Sequence, residues 1–291
     1  MDQSRNLSFA FPGKNWRELR GFLEGQGVEI RPIPYGFQAQ FEETVVNWYT
    51  SEKLLLQGKG AADFAEELYL RGLIKTGLDK ESSARIGVDE SGKGDFFGPL
   101  VVAGALVRPE MENELLRLGV RDSKTISDHV IIKTSAAVKK IAPHTKIIIS
   151  PAKYNELHLK MRNVNRILAW AHARAIENLL EKHEVKLAVA DQFGDESLIR
   201  EALMEKGRRV RLIQEHRAEA DLAVAAASII ARAEFLSQLD RLSEKAGLRL
   251  PRGASQEVLA AGKKLVAKVG VSGLDQFAKT HFKTTRELTP K

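Results

Sequence analysis

Several acidic residues in this chain stand where apolar stretches end or begin. The residues placed in this way are Asp89, Glu90, Asp191, Glu219 and Asp221. The first two end the apolar stretch 86–88, the third ends the stretch 187–190, and the last two open an Ala-rich segment. Unpaired charge beside a buried strand is costly. If both stretches are strands of one sheet, several carboxylates approach the same end of that sheet.

Carboxylates that gather without matching Lys or Arg are usually neutralised by a metal ion. The chain has no cysteine and few histidines near these acids, so the ligands would be oxygen atoms, which suit Mg²⁺ or Mn²⁺. Such a site suits attack of water on a phosphodiester with two metal ions. Each acid alone is more typical of a helix cap or an exposed surface, and only the combined pattern predicts a metal site.

The charge balance favours a polyanionic partner. The net charge is +7, and residues 241–291 carry 11 Lys or Arg against 4 Asp or Glu. Residues 1–80 carry 10 against 11, so the basic surplus belongs to the later part of the chain. A basic surface is typical of proteins that bind nucleic acid, although a solvated helical surface has the same composition.

A phosphate-binding loop is the main alternative for the stretch that holds the first two acids. Gly87, Gly92 and Lys93 fit the pattern G-x-x-x-x-G-K. Gly94, however, stands where a Ser or Thr should hold magnesium, and two carboxylates inside the loop would repel phosphate. The nucleotide-binding interpretation is therefore disfavoured.

Periodicity and chain breakers predict two domains. A small N-terminal domain of residues 1–75 reads β-α-β-β-β-α, residues 76–84 form a polar linker, and strands alternate with helices over residues 85–291. In the first domain we predict strands at 7–11, 28–35, 37–49 and 53–59, and helices at 13–27 and 61–74. No long apolar segment marks a membrane span or a leader, so we expect a cytoplasmic monomer without a membrane partner.

Four ordered motifs resemble those of the type 2 ribonucleases H, and most closely the bacterial ribonuclease HIII group. They read GVDESGKGDFFGPLVVAG, GVRDSKTIS, ADQF and AVAAASIIARAEFL, within residues 85–285. The N-terminal part is similar, more weakly, to the TATA-binding-protein-like substrate domain of that group through WYTSEKLLLQGKG. The resemblance implies a ribonuclease H-like α/β domain, with a central mixed sheet flanked by helices, preceded by a small α+β domain.

The resemblance also implies an endonuclease that cuts the RNA strand of RNA/DNA hybrids and leaves 5′-phosphate and 3′-hydroxyl ends. Asp89, Glu90 and Asp191 would then be catalytic metal ligands for Mg²⁺ or Mn²⁺. Many members of the family have Asp after Lys-Ala, whereas here Glu219 follows Arg217-Ala218. The alignment by this pair makes Glu219 the preferred fourth ligand, with Asp221 as the alternative. Two other functions stay open: a non-catalytic hybrid-binding protein, and a ribonuclease HII-like enzyme that cuts at single ribonucleotides in DNA.

Substrate contacts are implied at two places. The first is the turn Ser91, Gly92, Lys93 and Gly94, which is expected to approach the minor groove, where 2′-hydroxyls distinguish RNA from DNA. The second is Ser123 and Lys124, which match an Asp-Ser-Lys motif expected near phosphates. A tight turn that needs glycine and a helix cap are the structural alternatives for these two segments.

Overall fold

The computed structural model describes residues 5–71, 73–74, 84–120, 126–195, 197–215 and 218–289. The chain divides into two compact units, of which the first comprises residues 1–81 and 112–119 and the second comprises residues 82–111 and 120–291. Most of the predicted linker lies outside the described residues. The sequence predicts that residues 112–119 belong to the second domain, whereas the structure groups them with the first unit.

The N-terminal unit is a five-stranded sheet with two helices. Its elements are β1 (Arg5–Ala10), α1 (Gly13–Gly25), β2 (Ile30–Ile33), β3 (Gly36–Phe41), β4 (Thr44–Tyr49), β5 (Lys53–Gly58) and α2 (Ala61–Leu70). The strand order is β1-β5-β4-β3-β2, and every neighbouring pair is antiparallel.

The prediction of a single strand over residues 37–49 is wrong. The segment folds into the hairpin β3–β4, with Phe41 paired to Thr44 across a two-residue turn. Glu42 in this turn has a φ of 48°, a left-handed conformation that favours glycine or asparagine. Because neither residue type occurs at the turn, the sequence contains no hairpin signal there.

Both helices cover one face of this sheet. Trp16 of α1 stacks on Phe37 at 5.4 Å and on Trp48 at 5.0 Å between ring centroids. Leu54 and Phe64 belong to the same buried cluster, which therefore joins the two helices to alternate residues of the strands. Trp16 and Trp48 thus stabilise the core, as so small a domain requires.

The opposite face of the sheet carries a row of amide side chains. Gln38 donates to Asn47 at 2.7 Å, Asn47 donates to Gln57 at 3.1 Å, and Gln57 donates to Asn6 at 3.3 Å. The row crosses β3, β4, β5 and β1. These hydrogen bonds fix the orientation of polar groups on a face that neither helix covers.

The second part of the chain builds a mixed sheet. Its described elements are β6 (Arg85–Ser91), β7 (Leu100–Val107), α3 (Pro109–Arg117), α4 (Asp128–Ile141), β8 (His144–Ile149), α5 (Pro151–Met161), α6 (Val164–Leu180), β9 (Leu187–Asp191), α7 (Ser197–Ala202), β10 (Arg211–Glu215), α8 (Leu222–Ala246), α9 (Gln256–Val269) and α10 (Lys283–Leu288). The strand order is β10-β9-β6-β7-β8, with β6, β9 and β10 mutually parallel and β7 antiparallel to both neighbours. The predicted mixed sheet flanked by helices is confirmed.

Helices α6 and α8 pack on opposite faces of β6. Ile86 and Val88 lie in one buried cluster with residues of α6. Gly87 faces α8 so closely that a Cβ there would stand 2.0 Å from the carbonyl carbon of Ala223. Adjacent residues of β6 therefore face different helices. The same alternation continues to the end of the strand, where the two acids lie.

Helix α8 is apolar and 25 residues long, which by length and composition alone is enough to cross a membrane. Of its most apolar segment of 18 residues, 78% is buried inside the protein. Burial of this kind is typical of a core helix.

Candidate active site

Asp89 and Asp191 lie at the ends of neighbouring strands. The parallel register of β6 and β9 pairs Val88 with Ala190, so the next residue of each strand is an aspartate. The sequence prediction that carboxylates meet at one edge of the sheet agrees with this placement. Because the strands are parallel, both side chains stand at the same edge.

The surroundings of Asp89 disfavour its charge. Burial, together with the negative charges of Glu90 and Asp191, raises the pKa of this carboxyl to about 8. Hydrogen bonds from the Ser228 hydroxyl and the Glu90 backbone N–H act in the opposite direction. A divalent cation beside this carboxylate would favour its ionised form, because the cation would offset the like charges.

Glu90 points toward α6, on the other side of β6 from Asp89. Its Oε2 atom lies 3.1 Å from Nε2 of His172, and its Oε1 atom lies 3.7 Å from Nζ of Lys93. The side chain is 13% exposed. Sequence reasoning missed His172, and the available signal was a histidine among the apolar residues of a predicted helix.

The fourth acid is the residue that the sequence left open between two positions. Asp221 is fully buried, its Oδ2 lies 2.6 Å from Nε of Arg85, and its Oδ1 accepts from the backbone N–H of Ala223 at 2.7 Å. Asp221 thus caps α8 and neutralises a buried arginine. These contacts give it a structural role.

Glu219 belongs to the short 3₁₀ helix Ala218–Ala220 just before α8. The backbone N–H of Ala218 donates to Oδ1 of Asp191 at 3.3 Å, so this helix lies beside the acid of β9. The Glu219 side chain is outside the described part of the chain. Among the described side chains, no three His, Asp or Glu residues form a group arranged to hold a metal ion.

The two glycines of the turn after β6 differ in their surroundings. Gly92 has a φ of 93°, and a Cβ there would lie 2.3 Å from the carbonyl oxygen of Pro99 and 2.8 Å from the ring of Phe235. Gly94 is exposed, and a Cβ there would meet no atom within 4 Å. The fold therefore requires glycine at 92 and not at 94.

Residues far along the chain brace the segment that follows this turn. The Asp95 carboxylate accepts from the backbone N–H of Gly253 at 2.6 Å. Nζ of the buried Lys279 donates to the carbonyl oxygens of Asp95 at 2.8 Å and Gly98 at 2.7 Å. Burial lowers the pKa of Lys279 to about 7, and the charge of Asp95 opposes that shift. The predicted substrate residues Ser123 and Lys124 lie outside the described residues.

Comparison with known proteins gives a consistent group of relatives. The family model of ribonuclease HII matches residues 86–285. Ribonuclease HIII of Protochlamydia amoebophila (strain UWE25) is 41% identical over 277 residues, which are 92% of each chain.

Solved structures agree with this grouping. Bst-RNase HIII in complex with Mn²⁺ superposes with a TM-score of 0.70 and 28% identity over 98% of each chain. RNase HII of Archaeoglobus fulgidus, solved as a complex with PCNA, superposes with a TM-score of 0.60 and 30% identity. This match covers 97% of the HII chain but 71% of the present one, whereas the match to the HIII structure covers 98% of the present one.

Proposed function

This chain belongs to the ribonuclease HII family and is a ribonuclease H enzyme similar to the HIII members, and on that premise we propose that it cuts the RNA strand of RNA/DNA hybrids. The products would carry 5′-phosphate and 3′-hydroxyl ends. The placement of Asp89 and Asp191 at adjoining strand ends carries this proposal. Paired carboxylates at one sheet edge, without a described basic partner for Asp89, suit phosphodiester hydrolysis assisted by divalent cations.

The donor set fits Mg²⁺ or Mn²⁺. Carboxylate oxygens are the ligands that these ions prefer. The raised pKa of Asp89 reflects burial and the negative charges of its neighbours, and a cation would offset those charges. The residues that would hold the ions are Asp89, Glu90, Asp191 and Glu219. Two bound ions would lower the pKa of the attacking water and stabilise the charge on the leaving 3′-oxygen. The protein orients its own ligands through Ser228 and Ala218.

The turn after β6 supplies the proposed contact with the RNA strand. The space beside Gly94 would admit a side chain, so packing does not require glycine there. Because glycine has no side chain, a ligand can approach the backbone at this position closely. Ser91 and Lys93 flank the same turn and provide polar groups for 2′-hydroxyls or phosphates. Gly92 has the separate task of forming the turn. We propose Ser123 and Lys124 as further phosphate contacts on the resemblance alone.

The open face of the N-terminal sheet is the proposed second contact with the hybrid. Amide groups such as those of Gln38 and Gln57 donate and accept hydrogen bonds, which suits sugar and base edges as well as phosphates. The near-neutral charge of residues 1–80 means that the contact is polar more than ionic. Lys14 and Arg17 belong to α1, on the covered side of the sheet, and do not contribute to this face.

One cleavage assay separates the candidate functions. A labelled RNA/DNA hybrid and a DNA duplex with one ribonucleotide are incubated with the chain in Mg²⁺, Mn²⁺ or EDTA. We expect hybrid cleavage with either ion and none in EDTA. Cleavage of the single-ribonucleotide duplex in preference to the hybrid would favour the HII-like alternative, and hybrid cleavage in EDTA would contradict the metal-dependent mechanism.

A further inference from the structure

His172 occupies a special position in α6. It lies in the middle of the helix, is fully buried, and has an imidazole ring among apolar residues of the sheet-facing surface. Its Nε2 atom lies 3.1 Å from Oε2 of Glu90. A carboxylate has no hydrogen to donate, so Nε2 carries the hydrogen of this bond.

The second ring nitrogen of His172 distinguishes this residue from an apolar one. Nδ1 of His172 is buried without a hydrogen-bond partner in the described part of the chain. An unpaired buried polar atom destabilises the fold. An apolar residue would fill the same space without that cost, so the contact with Glu90 is the interaction that this histidine uniquely provides.

Phe193 contacts the imidazole, and Lys93 contacts the carboxylate. The ring of His172 packs against Phe193, with 4.9 Å between centroids, and Phe193 stands two residues after Asp191. Nζ of Lys93 lies 5.5 Å from the Phe193 centroid and 3.7 Å from Oε1 of Glu90. The two oxygens of Glu90 therefore have different partners, one on a rigid helix and one on the exposed turn.

We propose that His172 is a positioning residue that fixes the Glu90 carboxylate for divalent-cation binding. A glutamate side chain has three rotatable bonds. A hydrogen bond from a residue of a buried helix restricts its rotamers, so cation binding loses less conformational entropy. Nζ of Lys93 lies farther from the carboxylate, at 3.7 Å, and the side chain is 39% exposed, so it does not substitute for the histidine. This inference rests on the proposed function of the same site.

The test compares His172→Phe with His172→Gln. Phenylalanine keeps an aromatic ring against Phe193 but has no donor, whereas glutamine keeps a donor without a ring. We expect His172→Phe to retain the melting temperature and the KM for hybrid, but to weaken Mn²⁺ binding, measured calorimetrically, and kcat by about 10- to 100-fold. We expect His172→Gln to recover most of the Mn²⁺ affinity. If His172→Phe does not fold, His172→Leu takes its place.

A double-mutant cycle makes the outcome specific. If the histidine acts through Glu90, His172→Phe should not weaken Mn²⁺ binding further in a Glu90→Ala background. Unchanged Mn²⁺ affinity and kcat in folded His172→Phe, or equal losses in both backgrounds, would overturn the inference alone. Absence of Mn²⁺ binding by the unmodified chain would overturn the proposed metal site together with the inference.

Discussion

At the scale of residues, ionisation of Asp89 is unfavourable in the folded chain because burial and two neighbouring carboxylates oppose it. Asp89→Asn removes that charge and preserves the shape of the side chain. We expect this variant to lose hybrid cleavage and, in EDTA at alkaline pH, to melt at a higher temperature than the unmodified chain. Cleavage assays and thermal unfolding check the two effects. As a control, Asp240→Asn removes an exposed carboxylate and should change neither cleavage nor the melting temperature. Undiminished cleavage by Asp89→Asn would exclude Asp89 from the site.

The same carboxylate makes the stability of the metal-free chain depend on pH. Its pKa is about 8 in the folded chain against an ordinary value of 3.8, so between these values the folded state binds a proton that the unfolded state has lost. Its stabilising contribution is fully present below the lower pKa and is lost as the pH rises through the higher one. Denaturant midpoints in EDTA at about pH 5 and about pH 9 should differ less in Asp89→Asn than in the unmodified chain. An identical pH dependence would show that Asp89 ionises normally.

Glu219 and Asp221 should respond in opposite ways to loss of their charge. Asp221→Asn removes one charge of the buried ion pair with Arg85, which costs about 3 to 5 kcal/mol of stability. Glu219→Gln should abolish cleavage and leave the melting temperature unchanged, because Asp221 and not Glu219 caps α8. Melting temperatures and kcat of both variants are the measurements. Full activity in Glu219→Gln with a folded but inactive Asp221→Asn would reverse the assignment.

The acids of the site could be predicted from the sequence, but their partners could not. Asp89 and Asp191 each end an apolar run, and sheet geometry then places them at a common edge. Ser228 and His172 lie inside helices whose sequence does not reveal which strand each helix covers. Their role depends on the packing of α8 and α6 on opposite faces of β6, which is a tertiary property.

At the scale of elements, the turn after β6 separates a glycine needed for folding from one available to substrate. Gly92→Ala should lower stability by about 1 to 3 kcal/mol, since its φ is left-handed and its surroundings exclude a Cβ. Gly94→Ala should leave the melting temperature unchanged but raise the KM for hybrid. Gly21→Ala, at another position with open space, is the control and should leave the KM unchanged. An unaltered KM in Gly94→Ala would remove this residue from the proposed contact.

Elements with strong apolar runs followed the sequence closely. Strands β7 and β9 and helices α6 and α8 each have a continuous or periodic apolar pattern, which predicts them from the sequence. The β3–β4 hairpin was missed because Glu42 adopts a left-handed conformation without the usual residue type. Local sequence predicts the backbone conformation that a segment prefers. Here the pairing of β3 with β4 holds Glu42 in a conformation that its residue type does not favour.

At the scale of the whole molecule, the N-terminal sheet should contribute affinity and no chemistry. Gln38→Glu and Gln57→Glu together add two negative charges to the open face, so repulsion from the hybrid should raise KM and leave kcat nearly unchanged. The effect should weaken as salt is added. Gln26→Glu adds a charge at the end of α1, on the covered side, and should change KM little. Equal KM values for all three proteins would show that the face serves another partner.

The brace between Lys279 and the segment after β6 also has a consequence for synthesis. Its hydrogen bonds join residues that are 184 and 181 positions apart, so the later partner leaves the ribosome long after the acids of β6. A nascent chain that has not reached residue 279 carries Asp89 and Glu90 but lacks the side chain that holds the following loop. Translation thus completes this nuclease late, and products that terminate before residue 279 should be inert toward RNA/DNA hybrids.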